Sequence, residues 1–185
     1  CIVSRLYVDG CSFVYGEGLP REHSLGALLS ADIDMSAPGK SNFNIVYDVY
    51  RHIDQADMFV IGFTFSNRIT LWHDDLPLGV NPKQLELSRL YKHPEGEALE
   101  REYRSFHKIY YTLFNDTYSQ TLSNFLVDST IELLKANKKK FVIFSAEKRT
   151  CLNEVLYFNI NDRLADGHFN EKGMKILSTR IKEKL

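Results

Sequence analysis

Residues 2–13 read IVSRLYVDGCSF, a strand-to-turn pattern close to the start of the chain. Apolar and aromatic residues are concentrated in Ile2–Val8, and Asp9-Gly10 follows them. This predicts a buried first strand that stops in a turn. Ser12 comes directly after that turn, where its hydroxyl would lie at the carboxyl end of the strand. A serine at this position is either a turn or helix-cap residue, which is the commoner role, or a nucleophile.

Strand and helix patterns alternate along the rest of the chain. Further strands are predicted over 32–37, 58–63, 141–144 and 155–160. Helices are predicted over 21–30, 41–54, 96–114, 118–137 and 171–184, where apolar residues recur at helical spacing. The pattern predicts an α/β protein, a three-layer αβα sandwich with a flavodoxin-like, mostly parallel sheet of about five strands.

The chain is predicted to form one domain over residues 1–185. An irregular insertion is expected at about 66–95, where proline and glycine stand among charged residues. Long insertions are often functional, so this one, with Arg68, Trp72 and His73, is a candidate lid or substrate wall. The alternative is a surface insertion that packs Trp72 on the core.

Composition and charge argue against several classes of partner. The 23 basic and 24 acidic residues leave a net charge of −1, which gives no electrostatic basis for binding nucleic acid or an anionic membrane. No run approaches the ~20 apolar residues of a membrane-spanning helix. No histidines pair at metal-ligand spacing with an acid, so no metal and no other cofactor is expected. Cys1, Cys11 and Cys151 do not suggest a disulfide framework, which favours a reducing, cytoplasmic setting.

A second reactive segment, Asp166-Gly167-His168, precedes the last predicted helix. A histidine in a polar loop beside an acid can act as a general base at neutral pH. The alternative is a solvated loop histidine, with Asn170 as the helix cap. Two turns that follow predicted strands, at Gly39 and at Gly62-Phe63-Thr64, carry backbone N–H groups that could face a developing oxyanion.

Taken in chain order, these segments resemble the motifs of the SGNH (GDSL-like) hydrolase family over nearly the whole chain. In that family the nucleophilic serine follows the first strand in a Gly-Asp-Ser motif, and Ser12 in Gly10-Cys11-Ser12-Phe13 stands in its place. Gly39 matches the family's glycine after the second strand. Thr64 stands where a Gly-x-Asn turn has its asparagine, and His168 matches the histidine before the last helix.

The resemblance implies a catalytic triad of Ser12, His168 and an acid. The family's Asp-x-x-His motif is not met strictly, because Ala165 occupies the position of its aspartate. Asp166 is one residue closer to the histidine and is the first choice for the acid, with Asp162 as its rival.

The same resemblance implies an oxyanion hole formed by the N–H groups of Ser12 and Gly39 together with a side-chain donor. The family's asparagine is replaced by Thr64, whose hydroxyl could still donate. Asn42 and Asn67 are the other candidates, because they lie close in sequence to Gly39 and Thr64.

The expected activity is hydrolysis of a carboxylic ester of a small molecule or glycan. Cys11 replaces the family's aspartate before the serine, which suggests a divergent branch with a Gly-Cys-Ser-Phe block, seen in phages and bacteria. Three alternatives stay open: a non-catalytic carbohydrate- or protein-binding module, an acyltransferase that uses the same residues, and Cys11 as the nucleophile. The last is the least favoured, because a cysteine at such a turn more often packs.

Overall fold

The computed structural model describes residues 4–73, 76–80, 96–113, 116–147 and 154–185. The strands are β1 Leu6–Gly10, β2 Ile33–Asp34, β3 Met58–Phe63, β4 Ile69–His73, β5 Leu76–Val80, β6 Lys140–Ser145 and β7 Val155–Leu156. The α-helices are α1 Ser12–Tyr15, α2 Leu25–Leu29, α3 Asn42–His52, α4 Gly96–Leu113, α5 Asp116–Ala136 and α6 Glu171–Lys182. None of the helices described has the length and apolar character needed to cross a bilayer.

Five strands form one sheet in the order β2-β1-β3-β6-β7. Every neighbouring pair in it is parallel. The prediction of a mostly parallel sheet of about five strands is therefore confirmed. Because the strands run the same way, their carboxyl ends share one edge, and the segments that follow β1, β2 and β3 meet there.

Helices cover both faces of the sheet, and alternating strand residues supply the two cores. On one face Leu6 and Val8 pack in a core with residues of α1, α2 and α6, such as Met174. On the other face Tyr7 packs in a core with residues of α3 and α5, such as Ile45. This is the three-layer αβα arrangement expected from the sequence.

The prediction of an irregular insertion at about 66–95 is wrong for part of that range. Within it, β4 and β5 form an antiparallel hairpin in which Ile69 pairs with Val80 and Trp72 with Pro77. Proline is tolerated in a two-stranded ribbon, because the strand has an outer edge that donates no hydrogen bonds to a neighbour. Residues 81–95 lie outside the described residues.

The prediction of one continuous helix over 21–30 is also wrong. It is divided into a 3-10 turn, Arg21–His23, and the short α2. Ser24 separates them with extended backbone and caps α2, since its Oγ accepts a 3.2 Å hydrogen bond from Ala27 N. A capping serine begins a new helix because its side chain satisfies an N–H that has no intrahelical partner.

Gly10 allows β1, β3 and α1 to approach closely at the edge where the strands end. It lies beside Gly62 in the register of β1 and β3. A Cβ added at Gly10 would come within 2.3 Å of Val14 Cγ2 and 2.8 Å of the Gly62 carbonyl. The glycine therefore lets α1 begin immediately after the strand, which fixes the position of Ser12.

Candidate active site

Ser12 is the first residue of α1, and Cys11 before it is the extended N-cap. The Cys11 carbonyl accepts hydrogen bonds from Val14 N at 2.9 Å and Tyr15 N at 3.0 Å, which closes the turn. The N–H of Ser12 has no intrahelical acceptor, because the first N–H groups of any helix have none. The turn thus presents both the hydroxyl and the N–H of Ser12 at the sheet edge.

The imidazole of His168 lies against this serine. Its Nε2 is 2.9 Å from Ser12 Oγ, although 156 residues separate the two in sequence. The ring also packs on Phe13, with 5.0 Å between ring centroids. Leu164 N donates a 2.7 Å hydrogen bond to the His168 carbonyl, which folds the preceding loop back on itself. The structure therefore brings together the two residues that the sequence selected from opposite ends of the chain.

Asp166 is the acid nearest to the other ring nitrogen. Its Oδ2 is 3.2 Å from His168 Nδ1, and its Oδ1 accepts a 3.0 Å hydrogen bond from the His168 backbone N–H. Nδ1 is buried and makes no well-directed hydrogen bond, so the contact is an ion-pair distance rather than an aligned bond. The backbone N–H of His168, and then its ring, lower the pKa of Asp166, which keeps this exposed carboxyl ionised.

Asp162 makes different contacts. Its carboxylate is 3.0 Å from Lys172 Nζ, and its carbonyl accepts a 3.0 Å hydrogen bond from Asn170 N. Asn170 caps α6, because its Oδ1 accepts from Gly173 N at 2.9 Å. Asp162 therefore fastens the loop to the start of α6, whereas Asp166 faces the imidazole.

Glu17 is a carboxylate that the sequence did not single out. Its Oε2 is 3.4 Å from His168 Nε2, the same nitrogen that contacts Ser12. Nearly half of its side chain is exposed. Its position five residues after the serine, on the loop that follows α1, gave no signal beyond the presence of an acid near the first motif.

The oxyanion-hole candidates lie in the loop after β2, at the start of α3 and in the loop after β3. Gly39 has φ of 77°, a left-handed conformation that favours glycine. Asn42 Oδ1 accepts a 2.8 Å hydrogen bond from Thr64 N. Its Nδ2 donates to the Thr64 carbonyl at 3.2 Å and to Ser123 Oγ at 2.6 Å. Both amide hydrogens of Asn42 are thus in use, so it fixes the Thr64 peptide and has no donor left for an oxyanion. Thr64 itself is fully buried.

Asn67 contributes a backbone contact. Its carbonyl accepts a 2.7 Å hydrogen bond from the Tyr111 hydroxyl, which ties the loop after β3 to α4. The neighbouring Arg68 lies over the ring of Phe65, with 5.6 Å from its guanidinium carbon to the ring centroid. Phe65 in turn packs at 5.9 Å on Phe13, the residue after Ser12.

A groove opens beside the Thr64 end of β3. It has a volume of about 160 Å³ and lies between α3, the first residues of β4, α4 and α5. Asn42, Ser66, Arg68 and Leu122 are among its lining residues. Of the insertion residues predicted as a substrate wall, Arg68 lines this groove, while the side chains of Trp72 and His73 lie outside the described residues.

Asp9 is a buried carboxyl immediately before the turn that carries Ser12. Its Oδ1 accepts from Gly10 N at 2.6 Å and from Lys40 Nζ at 2.5 Å, and its Oδ2 accepts from the Tyr7 hydroxyl at 2.9 Å. Burial raises the pKa of Asp9 to about 7, against the opposing effect of Lys40. Burial, and then Asp9, raise the pKa of Tyr7 well above its usual range. Sequence reasoning missed this cluster, because no local pattern predicts that the Asp9 and Lys40 side chains meet.

Cys11 was the alternative nucleophile. Cys11 is 1% exposed and is packed beneath the turn, where its thiol does not reach solvent. Among the residues that the structure describes, no group of three or more histidine, cysteine, aspartate or glutamate side chains could hold a metal ion.

Comparison with solved structures identifies the fold. The psychrotrophic esterase EstA from Pseudoalteromonas sp., solved with monoethylphosphonate as inhibitor, superposes with a TM-score of 0.52. The match covers 98% of this chain and 96% of EstA at 11% sequence identity. With its parallel five-stranded sheet, the chain thus has the α/β fold that the SGNH resemblance implied.

Two further structures are similar over their whole length. A putative lipolytic protein of the G-D-S-L family from Desulfitobacterium hafniense has a TM-score of 0.45 at 12% identity, covering 99% of this chain and 100% of its own. TesA has a TM-score of 0.46 at 13% identity, covering 98% and 97%. No family model and no curated protein sequence matches this chain.

Proposed function

We propose that this chain is a serine hydrolase that acts on carboxylic esters. Ser12 is the nucleophile, His168 the general base, and Asp166 the acid that orients the imidazole. The observation that carries the proposal is the 2.9 Å contact between His168 Nε2 and Ser12 Oγ, because a nucleophile and its base must lie within hydrogen-bond reach. The EstA fold supports it, since EstA is an esterase with the same architecture.

In the first half-reaction, His168 Nε2 takes the proton from the Ser12 hydroxyl while Oγ attacks the ester carbonyl carbon. The carbonyl π electrons move to oxygen and give a tetrahedral oxyanion. The N–H groups of Ser12 and Gly39 are the proposed donors to that oxygen, with the hydroxyl of Thr64 beside them. Collapse of the intermediate breaks the bond to the alcohol oxygen, which leaves with the proton from Nε2.

The second half-reaction repeats these steps with water as the nucleophile. His168 removes a proton from water, the hydroxide adds to the acyl carbon, and the bond to Ser12 Oγ breaks. Ser12 regains its proton from the imidazolium, and the carboxylic acid is released. The ionised Asp166, 3.2 Å from Nδ1, favours the imidazolium that forms in both steps.

The groove beside Thr64 is the proposed site for the acyl chain. Its volume of about 160 Å³ is of the order that holds one small apolar molecule. Its wall includes Asn42, which holds the Thr64 peptide, and Ser66, two residues after Thr64, so the groove lies close to the loop that follows β3. This favours esters with a short acyl group, from small-molecule or glycan substrates.

The test is hydrolysis of p-nitrophenyl acetate by the wild type and by the Ser12→Ala variant. We expect kcat to fall at least about 10³-fold in the variant, because the nucleophile is lost. The matched control is Ser105→Ala, since Ser105 is an exposed serine on α4 whose hydroxyl bonds only to the Arg101 carbonyl among described partners. Ethylphosphonate ester inhibitors should add one phosphonyl group to the wild type and none to Ser12→Ala. Equal hydrolysis by two folded proteins would end the proposal.

A further inference from the structure

A buried charge cluster lies next in sequence to the residues of the proposed active site. Lys40 Nζ is 2.5 Å from Asp9 Oδ1 and 2.6 Å from Asp48 Oδ2. It also donates a 3.0 Å hydrogen bond to the Met35 carbonyl. Asp9 is fully buried and Lys40 is 7% exposed. All three ammonium hydrogens therefore have acceptors, which is the condition under which a lysine can be buried in its charged form.

The cluster connects the two chain segments that carry the nucleophile and the oxyanion donor. Asp9 lies at the end of β1, three residues before Ser12, and Lys40 directly follows Gly39. Asp48 adds a third connection, because it lies on α3. Neither Asp9 nor Lys40 takes part in the proposed chemistry, since their charged atoms are occupied by each other.

The Lys40 side chain continues a connection that the backbone begins. After β2, Met35 N donates to the Val8 carbonyl at 2.9 Å, and Ala37 N donates to the Gly10 carbonyl at 3.1 Å. The chain then turns away from β1 through Gly39, in its left-handed conformation. Lys40 reaches back from beyond this turn to the end of β1, which closes the loop around Gly39.

Stability alone is a weak reason for such a pair. Removing two charges from water carries a large desolvation penalty, and proteins in which a buried pair is replaced by apolar residues are often no less stable. What the pair does supply is a fixed geometry, because the planar carboxylate and the fully bonded ammonium restrict both segments. A catalytic site needs such restriction, since a displacement of about 1 Å can cost about 10²-fold in rate.

We propose that Asp9 and Lys40 are positioning residues that hold the Gly39 N–H at the correct distance from Ser12 to bind the oxyanion. The inference rests on the proposed esterase function. The pair touches no substrate atom and acts through the loop between Ala37 and Lys40. Its loss therefore weakens stabilisation of the transition state while leaving ground-state binding of the ester largely intact.

The experiment uses the double variant Asp9→Asn/Lys40→Met, which removes both charges at nearly constant volume. A single Lys40→Met change is avoided, because it strands the fully buried Asp9 carboxyl without its counter-charge. Asp48 keeps solvent access in the double variant, with 22% of its side chain exposed. We expect kcat for p-nitrophenyl acetate to fall about 10- to 100-fold, with KM changed less than about threefold.

The matched control is the double variant Lys135→Met/Glu154→Gln. It removes an exposed pair of the same kind, with 2.6 Å between Lys135 Nζ and Glu154 Oε1, at the end of α5 and before β7. We expect its kcat to equal that of the wild type. A folded Asp9→Asn/Lys40→Met protein with wild-type kcat would overturn the proposal, and so would an equal loss in the control.

Asp9→Asn alone serves if the double variant fails to fold, because Lys40 keeps its bonds to Asp48 and Met35. We expect a smaller kcat loss of about three- to tenfold, with KM again unchanged. An unchanged kcat would contradict the proposal. Failure of both variants to fold would show that the pair serves the fold itself, which also contradicts it.

Amide hydrogen exchange separates this inference from the proposed function. If the wild type shows no Ser12-dependent hydrolysis, the esterase function is refuted. The effect of Asp9 and Lys40 on the loop between Ala37 and Lys40 can still be measured in that case. In the double variant we expect exchange at Ala37, whose N–H donates to the Gly10 carbonyl, to quicken at least about tenfold, while amides in the middle of α6 keep their wild-type rates. Unchanged exchange at the loop, or uniform acceleration across the chain, would refute the positioning role.

Discussion

Asp166 is the proposed catalytic acid and Asp162 is its rival, and their contacts lead to different predictions. We expect Asp166→Asn to lower kcat about 10- to 100-fold, because the imidazolium loses its neighbouring charge. The loss should be smaller than the ~10⁴ of an aligned, buried triad, since Asp166 is more than half exposed and lies off the direction of the Nδ1 hydrogen bond. Asp162→Asn, which releases Lys172, should leave kcat unchanged. Ester-hydrolysis kinetics of the two variants decide, and the reverse result would assign the acid to Asp162.

Asp9 should titrate near neutral pH. Burial raises its pKa to about 7, and the groups that face it are Lys40, the Tyr7 hydroxyl and, beyond Lys40, Asp48. Between the ordinary aspartate pKa and about 7, the folded state binds more protons at this site than the unfolded state. The contribution of Asp9 to the free energy of unfolding therefore falls as pH rises through this window. We expect the carboxyl carbon-13 resonance of Asp9 to show a midpoint of about 7.

The Asp9→Asn variant tests the sign of this effect, because asparagine resembles the protonated form and does not titrate. Urea unfolding at pH 5 and pH 8 should show the wild type losing more stability than the variant over that interval. The size of the loss depends on how far the pKa of Asp9 differs between the folded and unfolded states. Each pKa unit of difference corresponds to about 1.4 kcal/mol in the free energy of unfolding. Parallel curves for the two proteins, or an Asp9 midpoint near the ordinary aspartate value, would contradict a raised pKa.

Sequence motifs singled out Ser12 and His168 because each follows or precedes a regular element in a recognisable block. They could not select Lys40, whose burial depends on three acceptors contributed by different elements. Asn42 was chosen as a possible oxyanion donor on proximity in sequence. Its actual bonds to Thr64 and Ser123 depend on the packing of α3 against β3 and α5, which no local pattern encodes.

The strands that helices cover on both faces were the elements that the sequence predicted best. The segments 58–63 and 141–144 are apolar runs, and both are central strands of the sheet. The hairpin β4–β5 was missed because Leu76–Val80 contains Pro77 and Gly79, which ordinarily argue against a strand. Pairing with β4 overrides that local preference.

The position of the proposed acyl-chain groove, between the start of β4 and α5, predicts a limit on acyl-chain length. Leu122 lines the groove and is 40% exposed, so Leu122→Trp should fill part of its volume. We expect KM for p-nitrophenyl hexanoate to rise about tenfold while KM for the acetate changes less than about twofold. Phe125→Trp is the control, because Phe125 lies on the same helix, is 66% exposed and is not among the lining residues. An equal effect on both esters would place the acyl chain elsewhere.

The molecule as a whole shows why a fold similar to that of EstA can form at 11% sequence identity. The two cores require only alternating apolar residues on parallel strands and apolar stripes on the covering helices. The carboxyl edge follows from the strand order and needs no particular residues. Cys11 and Thr64, which differ from the motifs that the sequence resembles, are therefore compatible with the architecture.

In this architecture the proposed site is assembled from segments near both ends of the chain. A covalent inhibitor that binds there provides a test of this assembly. A phosphonyl group on Ser12 Oγ carries a tetrahedral oxygen that should bind the N–H groups of Ser12 and Gly39 and lie beside His168. We expect inhibition to slow amide exchange at least about tenfold in three segments far apart in sequence, 11–16, 38–42 and 162–169, because one ligand restrains them together.

Amides near the end of α5, at the opposite edge of the sheet, should exchange as before, and Ser12→Ala treated in the same way should show no change. Protection confined to 11–16 would mean that neither the Gly39 loop nor the His168 loop closes on the adduct, which would contradict a site built from both ends of the chain.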